Sequence, residues 1–120
     1  MVNILLADDD VAVRDLVCRA LTSEGHAVHV TQDGLEALDY FTAHLESVDL
    51  IVTDVDMPQL DGLALAEKAL ALKPAVSIVL MSGFSDQLDR AAALQAQRLA
   101  SIPKPFTLEQ IKAMVRSLLR

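Results

Sequence analysis

Apolar runs of strand length alternate along the chain with stretches in which apolar residues recur at helical spacing. The runs are rich in Val, Ile and Leu and are bounded by polar or turn residues, which is typical of buried strands. Strands are predicted at Asn3–Ala7, Ala27–Thr31, Leu50–Thr53, Val76–Met81 and Leu99–Ile102.

A helix is predicted after each strand, and cap residues mark where most of them begin. The predicted helices run over Val11–Ser23, from Asp33-Gly34 to about His44, from a cap at Asp61 to about Leu72, between Asp86 and Gln97, and onward from a capping box formed by Thr107 and Gln110. The segment between Asp86 and Gln97 is predicted as a helix mainly from the helix propensity of its residues. It contains few large apolar residues that could anchor it by packing.

The apolar positions of the first two helices predict which of their residues face the core. In the first helix these are Val13, Leu16, Val17, Ala20 and Leu21. In the second they are Leu35, Leu38, Tyr40 and Phe41.

Five consecutive strand–helix units predict an α/β fold in which a parallel sheet carries helices on both faces. At 120 residues the chain has the length of one domain, which we expect to span residues 1–120. Aromatic residues make up only 3%, so the core must consist mainly of Leu, Val, Ile and Ala.

Charge and composition exclude several functions. A net charge of −7 argues against direct binding to nucleic acid or to an anionic membrane surface, because both require a basic patch. The single cysteine, Cys18, excludes an internal disulfide, and no apolar run has the length of a membrane span. We therefore expect a cytoplasmic protein.

Polar residues follow four of the predicted strands, and the ends of parallel strands meet at one edge of a sheet. They are Asp8-Asp9-Asp10 after the first strand, Asp54 after the third, Ser82 after the fourth and Lys104 after the fifth. Clustered carboxylates repel one another unless a cation joins them, and Mg²⁺ prefers oxygen ligands. Asp8, Asp9 and Asp54 are thus candidate Mg²⁺ ligands. A nearby lysine and hydroxyl suit a phosphoryl group, which an aspartate can accept covalently.

Several of the remaining polar residues have a simpler structural interpretation. We expect Asp10 to cap the first helix rather than to act as a third ligand from this loop, and Asp33 and Asp61 to cap theirs. The three histidines, His26, His29 and His44, lack partners at metal-ligand spacing and are predicted at the surface or at a sheet edge.

These residues together resemble the receiver domain of two-component response regulators from end to end. The matching positions are the acidic pair Asp8-Asp9, Asp54, Met57-Pro58-Gln59-Leu60-Asp61-Gly62, Ser82 and Lys104-Pro105-Phe106. The resemblance implies a flavodoxin-like, doubly wound (βα)5 fold whose five-stranded parallel sheet has the order 2-1-3-4-5.

The resemblance also implies a role for each site residue. Asp54 would be the phosphoacceptor, assisted by Ser82 and Lys104, and would also bind Mg²⁺. Asp9 would bind the metal directly, Asp8 mostly through water, and Asp56 through its backbone carbonyl. The Lys104–Pro105 bond is expected to be cis.

Partners and reactivity follow from the same resemblance. The phosphodonor would be a sensor histidine kinase or a histidine phosphotransfer protein. A downstream protein would bind the face formed by the fourth helix, the fifth strand and the last helix. The chain would be no enzyme beyond its own self-catalysed phosphotransfer and autodephosphorylation. It would act either as a stand-alone receiver or as part of a longer regulator.

Two positions depart from the usual receiver pattern. Ser101 stands where many receivers carry an aromatic switch residue, three positions before the lysine. Phe84, two residues after Ser82, either shields the phosphoryl group from water or only covers apolar surface. Asp56, two residues after Asp54, is the other position expected to tune loss of the phosphoryl group.

Two alternative functions are weaker. Asp54-Val55-Asp56 mimics the Asp-x-Asp motif of haloacid-dehalogenase-type phosphatases, but in those enzymes the acidic pair follows the lysine, whereas Asp8-Asp9 precedes it here. A receiver that has lost phosphorylation and only binds partners is the other alternative, against which the complete set of site residues argues.

Overall fold

Strands and helices alternate along the part of the chain that the computed structural model describes, residues 2–83 and 99–119. The elements are β1 Asn3–Ala7, α1 Val11–Ser23, β2 Ala27–Thr31, α2 Gly34–Ala43, β3 Leu50–Asp54, α3 Gly62–Leu72, β4 Ser77–Ser82, β5 Leu99–Pro103 and α4 Leu108–Leu118. They agree with the predicted elements to within a residue or two at most boundaries. The helix predicted between Asp86 and Gln97 lies outside the described residues, as does Phe84.

All five strands form one parallel sheet in the order β2-β1-β3-β4-β5, which confirms the predicted order. In the register, Leu5 lies beside Ile51, Ile51 beside Ile78, and Ile78 beside Leu99. Because the strands are parallel and in this register, the carboxyl ends of β1, β3, β4 and β5 meet at the same edge of the sheet.

The sheet divides the core into two layers, because successive residues of a strand point to opposite faces. On one face α2 and α3 cover a buried layer that includes Leu5, Ala37, Phe41, Ile51 and Leu80. On the other face α1 and α4 cover a layer that includes Leu6, Val17, Leu21, Val52 and Ile111. The prediction of helices on both faces is confirmed.

The predicted caps form the expected hydrogen bonds. The carboxylate of Asp10 accepts from the backbone N–H of Ala12 at 2.9 Å, and those of Asp33 and Asp61 likewise cap α2 and α3. Thr107 and Gln110 form the capping box of α4. Each cap satisfies backbone donors that the first turn of a helix leaves without a partner.

Two residues predicted in the core are instead exposed. Leu16 is 45% exposed and Leu35 is 47% exposed. Helical periodicity identifies an apolar stripe, but the neighbouring elements cover only its centre. In α1 that centre is occupied by Val17 and Leu21, and Leu16 is left at the margin.

Tyr40 lies between two histidine rings. His29 of β2 stacks on one side at 3.7 Å between ring centroids, and His44 stacks at 4.0 Å. Both histidines are exposed, as predicted for surface or edge positions. Among the described residues, no helix has the length and apolar character needed to cross a membrane.

Candidate functional site

The ends of β1, β3 and β5 bring two acids and a lysine into contact. Asp8 directly follows β1, Asp54 is the last residue of β3, and Lys104 directly follows β5. The Nζ atom of Lys104 lies 3.2 Å from Oδ1 of Asp54 and 3.6 Å from Oδ2 of Asp8. One ammonium group therefore lies between two carboxylates that are distant in sequence.

Asp8, Asp9 and Asp54 form an acidic cluster. One carboxylate oxygen from each residue lies within 4.8 Å of the others, and no other such group of potential metal ligands occurs in residues 2–83 and 99–119. Asp8 is fully buried, Asp54 is 7% exposed, and Asp9 is exposed. The cluster therefore has two oxygen donors inside the protein and one at the mouth of the site.

The donor set fits a hard divalent cation such as Mg²⁺. Carboxylate oxygens are the ligands that Mg²⁺ prefers, and this ion usually keeps several waters. The Oδ2 atom of Asp8 is buried and accepts no hydrogen bond among the described residues. The Lys104 ammonium lies 3.6 Å from this oxygen, beyond hydrogen-bond distance, so a cation or its bound water would supply a closer partner.

Burial and mutual repulsion alter the protonation of the acids. Burial raises the pKa of Asp54 to about 6, and the neighbouring charge of Asp8 adds to this effect, while Lys104 opposes it. Burial also raises the pKa of Asp8, against a hydrogen bond from the Asp10 backbone and the charge of Lys104. Burial lowers the pKa of Lys104, but the charges of Asp54 and Asp8 outweigh it, and the net shift is upward. The lysine is therefore cationic at neutral pH.

The remaining predicted site residues lie on the same edge of the sheet. Ser82 is buried at the end of β4, and its carbonyl oxygen accepts a hydrogen bond from the backbone N–H of Lys104 at 2.7 Å. Asp56 lies exposed in the loop after β3. The peptide bond between Lys104 and Pro105 is cis, as expected.

Contacts to the Asp54 backbone were not evident from the sequence. Its carbonyl oxygen accepts a hydrogen bond from Oγ1 of Thr53 at 2.9 Å. The same carbonyl lies so close to Gly62, the first residue of α3, that a Cβ atom there would overlap it. The glycine in the Asp61-Gly62 pair is the signal that could have revealed this contact, because a glycine often marks a close backbone approach.

A cavity of about 410 Å³ opens beside Lys104. Its lining residues are Val13, Leu16, Lys104, Pro105 and Phe106. The exposed side chain of Leu16 thus forms part of an apolar surface next to the site rather than part of the core.

Comparison with known proteins identifies the family. The profile of the response regulator receiver domain matches residues 4–116. Response regulator MprA of Mycolicibacterium vanbaalenii is 39% identical over 119 residues, which cover 99% of this chain and 51% of the relative. The chain thus spans about half the length of the curated relatives it matches.

Solved structures agree with this result. The response regulator TrrA of Thermotoga maritima, in complex with Mg²⁺ and BeF, has a TM-score of 0.86 at 28% identity, covering 98% of this chain and 99% of TrrA. The receiver domain of the hybrid histidine kinase CckA has a TM-score of 0.83 at 28% identity, with 98% and 99% coverage.

The chain belongs to the response regulator receiver domain family, whose members are the phosphoryl-accepting switches of two-component signalling. The family match supports this assignment against the phosphatase alternative, as does the position of Asp8-Asp9 before the other site residues.

Proposed function

We propose that Asp54 accepts a phosphoryl group from a phosphohistidine in a Mg²⁺-dependent reaction. The observation that supports this most directly is the contact of Lys104 with both Asp54 and Asp8 at the edge of the sheet. The carboxylates of the cluster would repel a negatively charged phosphoryl group on Asp54. The ammonium group of Lys104 offsets this repulsion, so the site can hold the group.

Each residue has a distinct part in this reaction. The Asp54 carboxylate forms the new O–P bond while the N–P bond of the phosphohistidine breaks, and the imidazole nitrogen keeps the electron pair of that bond. Lys104 offsets negative charge on the phosphoryl oxygens, and the Ser82 hydroxyl donates a hydrogen bond to one of them.

Mg²⁺, when bound, would neutralise charge on the phosphoryl oxygens. The carboxylates of Asp8, Asp9 and Asp54 and the backbone carbonyl of Asp56 would hold it, with Asp9 as a direct ligand and Asp8 acting mainly through water. The burial of Asp8 and the exposure of Asp9 are compatible with this division.

The domain would catalyse only its own phosphorylation and its own dephosphorylation. The donor would be a sensor histidine kinase or a histidine phosphotransfer protein, as in a two-component phosphorelay in the cytoplasm. The output would be a downstream protein that binds a face that includes β5 and α4, without direct contact to nucleic acid or membrane; the fourth predicted helix, also expected in this face, lies outside the described residues.

Labelling with a small phosphodonor tests the proposal. The purified chain is incubated with acetyl phosphate, with and without Mg²⁺, and the added phosphoryl mass is located by mass spectrometry. We expect one phosphoryl group on Asp54, dependent on Mg²⁺ and abolished by Asp54→Asn. Asp39→Asn is the matched control, because it removes an exposed acid on α2 that is not part of the cluster. Labelling that survives Asp54→Asn, or that ignores Mg²⁺, would contradict the proposal.

A further inference from the structure

We propose that Arg14 is a positioning residue for the metal site, because it holds the peptide that joins Asp8 to Asp9. The inference rests on the proposed function of the acidic cluster as a Mg²⁺ site. Arg14, the fourth residue of α1, is half-buried, and its Nη1 atom donates a hydrogen bond to the carbonyl oxygen of Asp8 at 3.1 Å.

Arg14 completes a set of hydrogen bonds around Asp8. The backbone N–H of Asp8 donates to the carbonyl oxygen of Thr31 at 3.3 Å, and Oδ1 of Asp8 accepts from the backbone N–H of Asp10 at 2.9 Å. The N–H, the carbonyl oxygen and Oδ1 of Asp8 therefore each have a hydrogen-bond partner. Only Oδ2 remains directed towards Lys104 and the cluster.

The consequence for Asp9 follows from the planarity of the peptide bond. The carbonyl of Asp8 and the N–H of Asp9 share one rigid plane, so fixing the carbonyl fixes the direction in which the chain enters Asp9. The Asp9 side chain is exposed, and packing contributes little to its position. Arg14 therefore orients Asp9, which is the least buried of the three proposed carboxylate ligands. Groups that orient metal ligands typically change metal affinity by about 10–100-fold when they are removed.

Charge and positioning predict opposite effects, which makes the inference testable. As a cation hydrogen-bonded to the backbone of a proposed metal ligand, Arg14 opposes the approach of a divalent cation, and its removal should tighten binding on Coulombic grounds alone. As a positioning residue, it favours binding, and its removal should weaken it.

The experiment compares Arg14→Met with Arg19→Met in the whole chain. Methionine keeps an unbranched stem and a good helix propensity but has no donor. Arg19 is an exposed residue of the same helix, so its variant makes the same change in net charge without the bond to Asp8. Mg²⁺ dissociation constants are measured by titration calorimetry at fixed ionic strength and neutral pH. The free energy of unfolding is measured separately in EDTA.

We expect Arg14→Met to bind Mg²⁺ about tenfold more weakly than wild type, while Arg19→Met binds it as wild type does or slightly more tightly. Unchanged or tighter binding by Arg14→Met would overturn the inference, even if that variant were less stable. A wild-type chain that binds no Mg²⁺ would instead overturn the proposed metal site itself.

Discussion

The backbone carbonyl of Asp54 occupies the space that a Cβ atom of residue 62 would need, so no side chain fits at Gly62. The N–H of Gly62 also donates a hydrogen bond to the carbonyl oxygen of Val55, with an N–O distance of 2.9 Å. The start of α3 therefore supports the backbone that carries the candidate phosphoacceptor.

We predict that Gly62→Ala lowers the free energy of unfolding by about 1–3 kcal/mol, because the new Cβ must displace main-chain atoms. Since one of those atoms belongs to Asp54, phosphorylation by acetyl phosphate should also slow. Urea denaturation measures the first effect, and a mass-spectrometric time course measures the second. Gly83→Ala is the control for stability, because a Cβ there meets no atom of residues 2–83 and 99–119 within 4 Å. Equal stability of the two variants would argue against the contact.

The raised pKa of Asp54 predicts a pH-dependent stability. The folded protein keeps this carboxyl protonated up to about pH 6, whereas its ordinary pKa is 3.8. Between these values the folded state binds more protons than the unfolded state, so the free energy of unfolding falls as pH rises through the window. Above pH 6 the penalty is complete and amounts to about 1–3 kcal/mol.

Urea denaturation in EDTA, on either side of this pH window, tests the effect. Asp54→Asn removes the titrating group, so its stability should exceed that of wild type above pH 6 and approach it near pH 4. Subtracting the two pH profiles removes the contributions of groups that do not interact with Asp54, such as His26, whose pKa burial lowers. Profiles that run parallel across the window would show that Asp54 titrates normally.

Lys104 offers a way to separate metal binding from phosphoryl transfer. Its ammonium lies 3.2 Å from Asp54 and competes with a cation for the same charge. We predict that Lys104→Met binds Mg²⁺ more tightly but is phosphorylated at least about tenfold more slowly, because it lacks the charge that stabilises the phosphoryl group. Calorimetry and labelling kinetics measure the two quantities.

Lys112→Met is the control, because it removes a lysine that is paired with Glu109 on α4. It should change neither Mg²⁺ affinity nor the rate of phosphorylation. Weaker Mg²⁺ binding together with slower phosphorylation in Lys104→Met would contradict this prediction.

Local patterns in the sequence were sufficient to predict the strands and helices that the structure describes. Apolar runs located the strands, and Asp10, Asp33 and Asp61 marked helix starts, because such signals act within a few residues. The convergence of Asp8, Asp54 and Lys104 was also predictable, since parallel strands place their ends together.

Contacts between elements could not be predicted in the same way. The bond from Arg14 to the Asp8 carbonyl and the stacking of Tyr40 with His29 depend on how a helix is rotated and placed against a strand. The exposure of Leu16 depends on how far α4 and its preceding loop extend over α1. The spacing of residues within a single helix or strand does not determine how that element packs against its neighbours.

Removal of the metal should have a measurable effect that depends on Asp9. Binding to the folded state alone raises its stability, so Mg²⁺ should raise the melting temperature relative to EDTA. Adding beryllofluoride, a phosphoryl mimic, should raise it further if Asp54 and the cation hold the mimic together. We expect Asp9→Asn to lose most of both shifts, because it removes the negative charge of the proposed direct ligand.

Asp15→Asn is the matched control, since it removes an exposed acid of α1 outside the cluster. Its shifts with Mg²⁺ and with beryllofluoride should equal those of wild type. If Asp9→Asn kept the wild-type shifts, Asp9 would not be a ligand, and the cation would have to lie between the buried pair Asp8 and Asp54. If wild type bound Mg²⁺ but not the mimic, the chain would fit a receiver that only binds partners. The two additions thus test the metal ligands and the phosphoryl site in one set of melting curves.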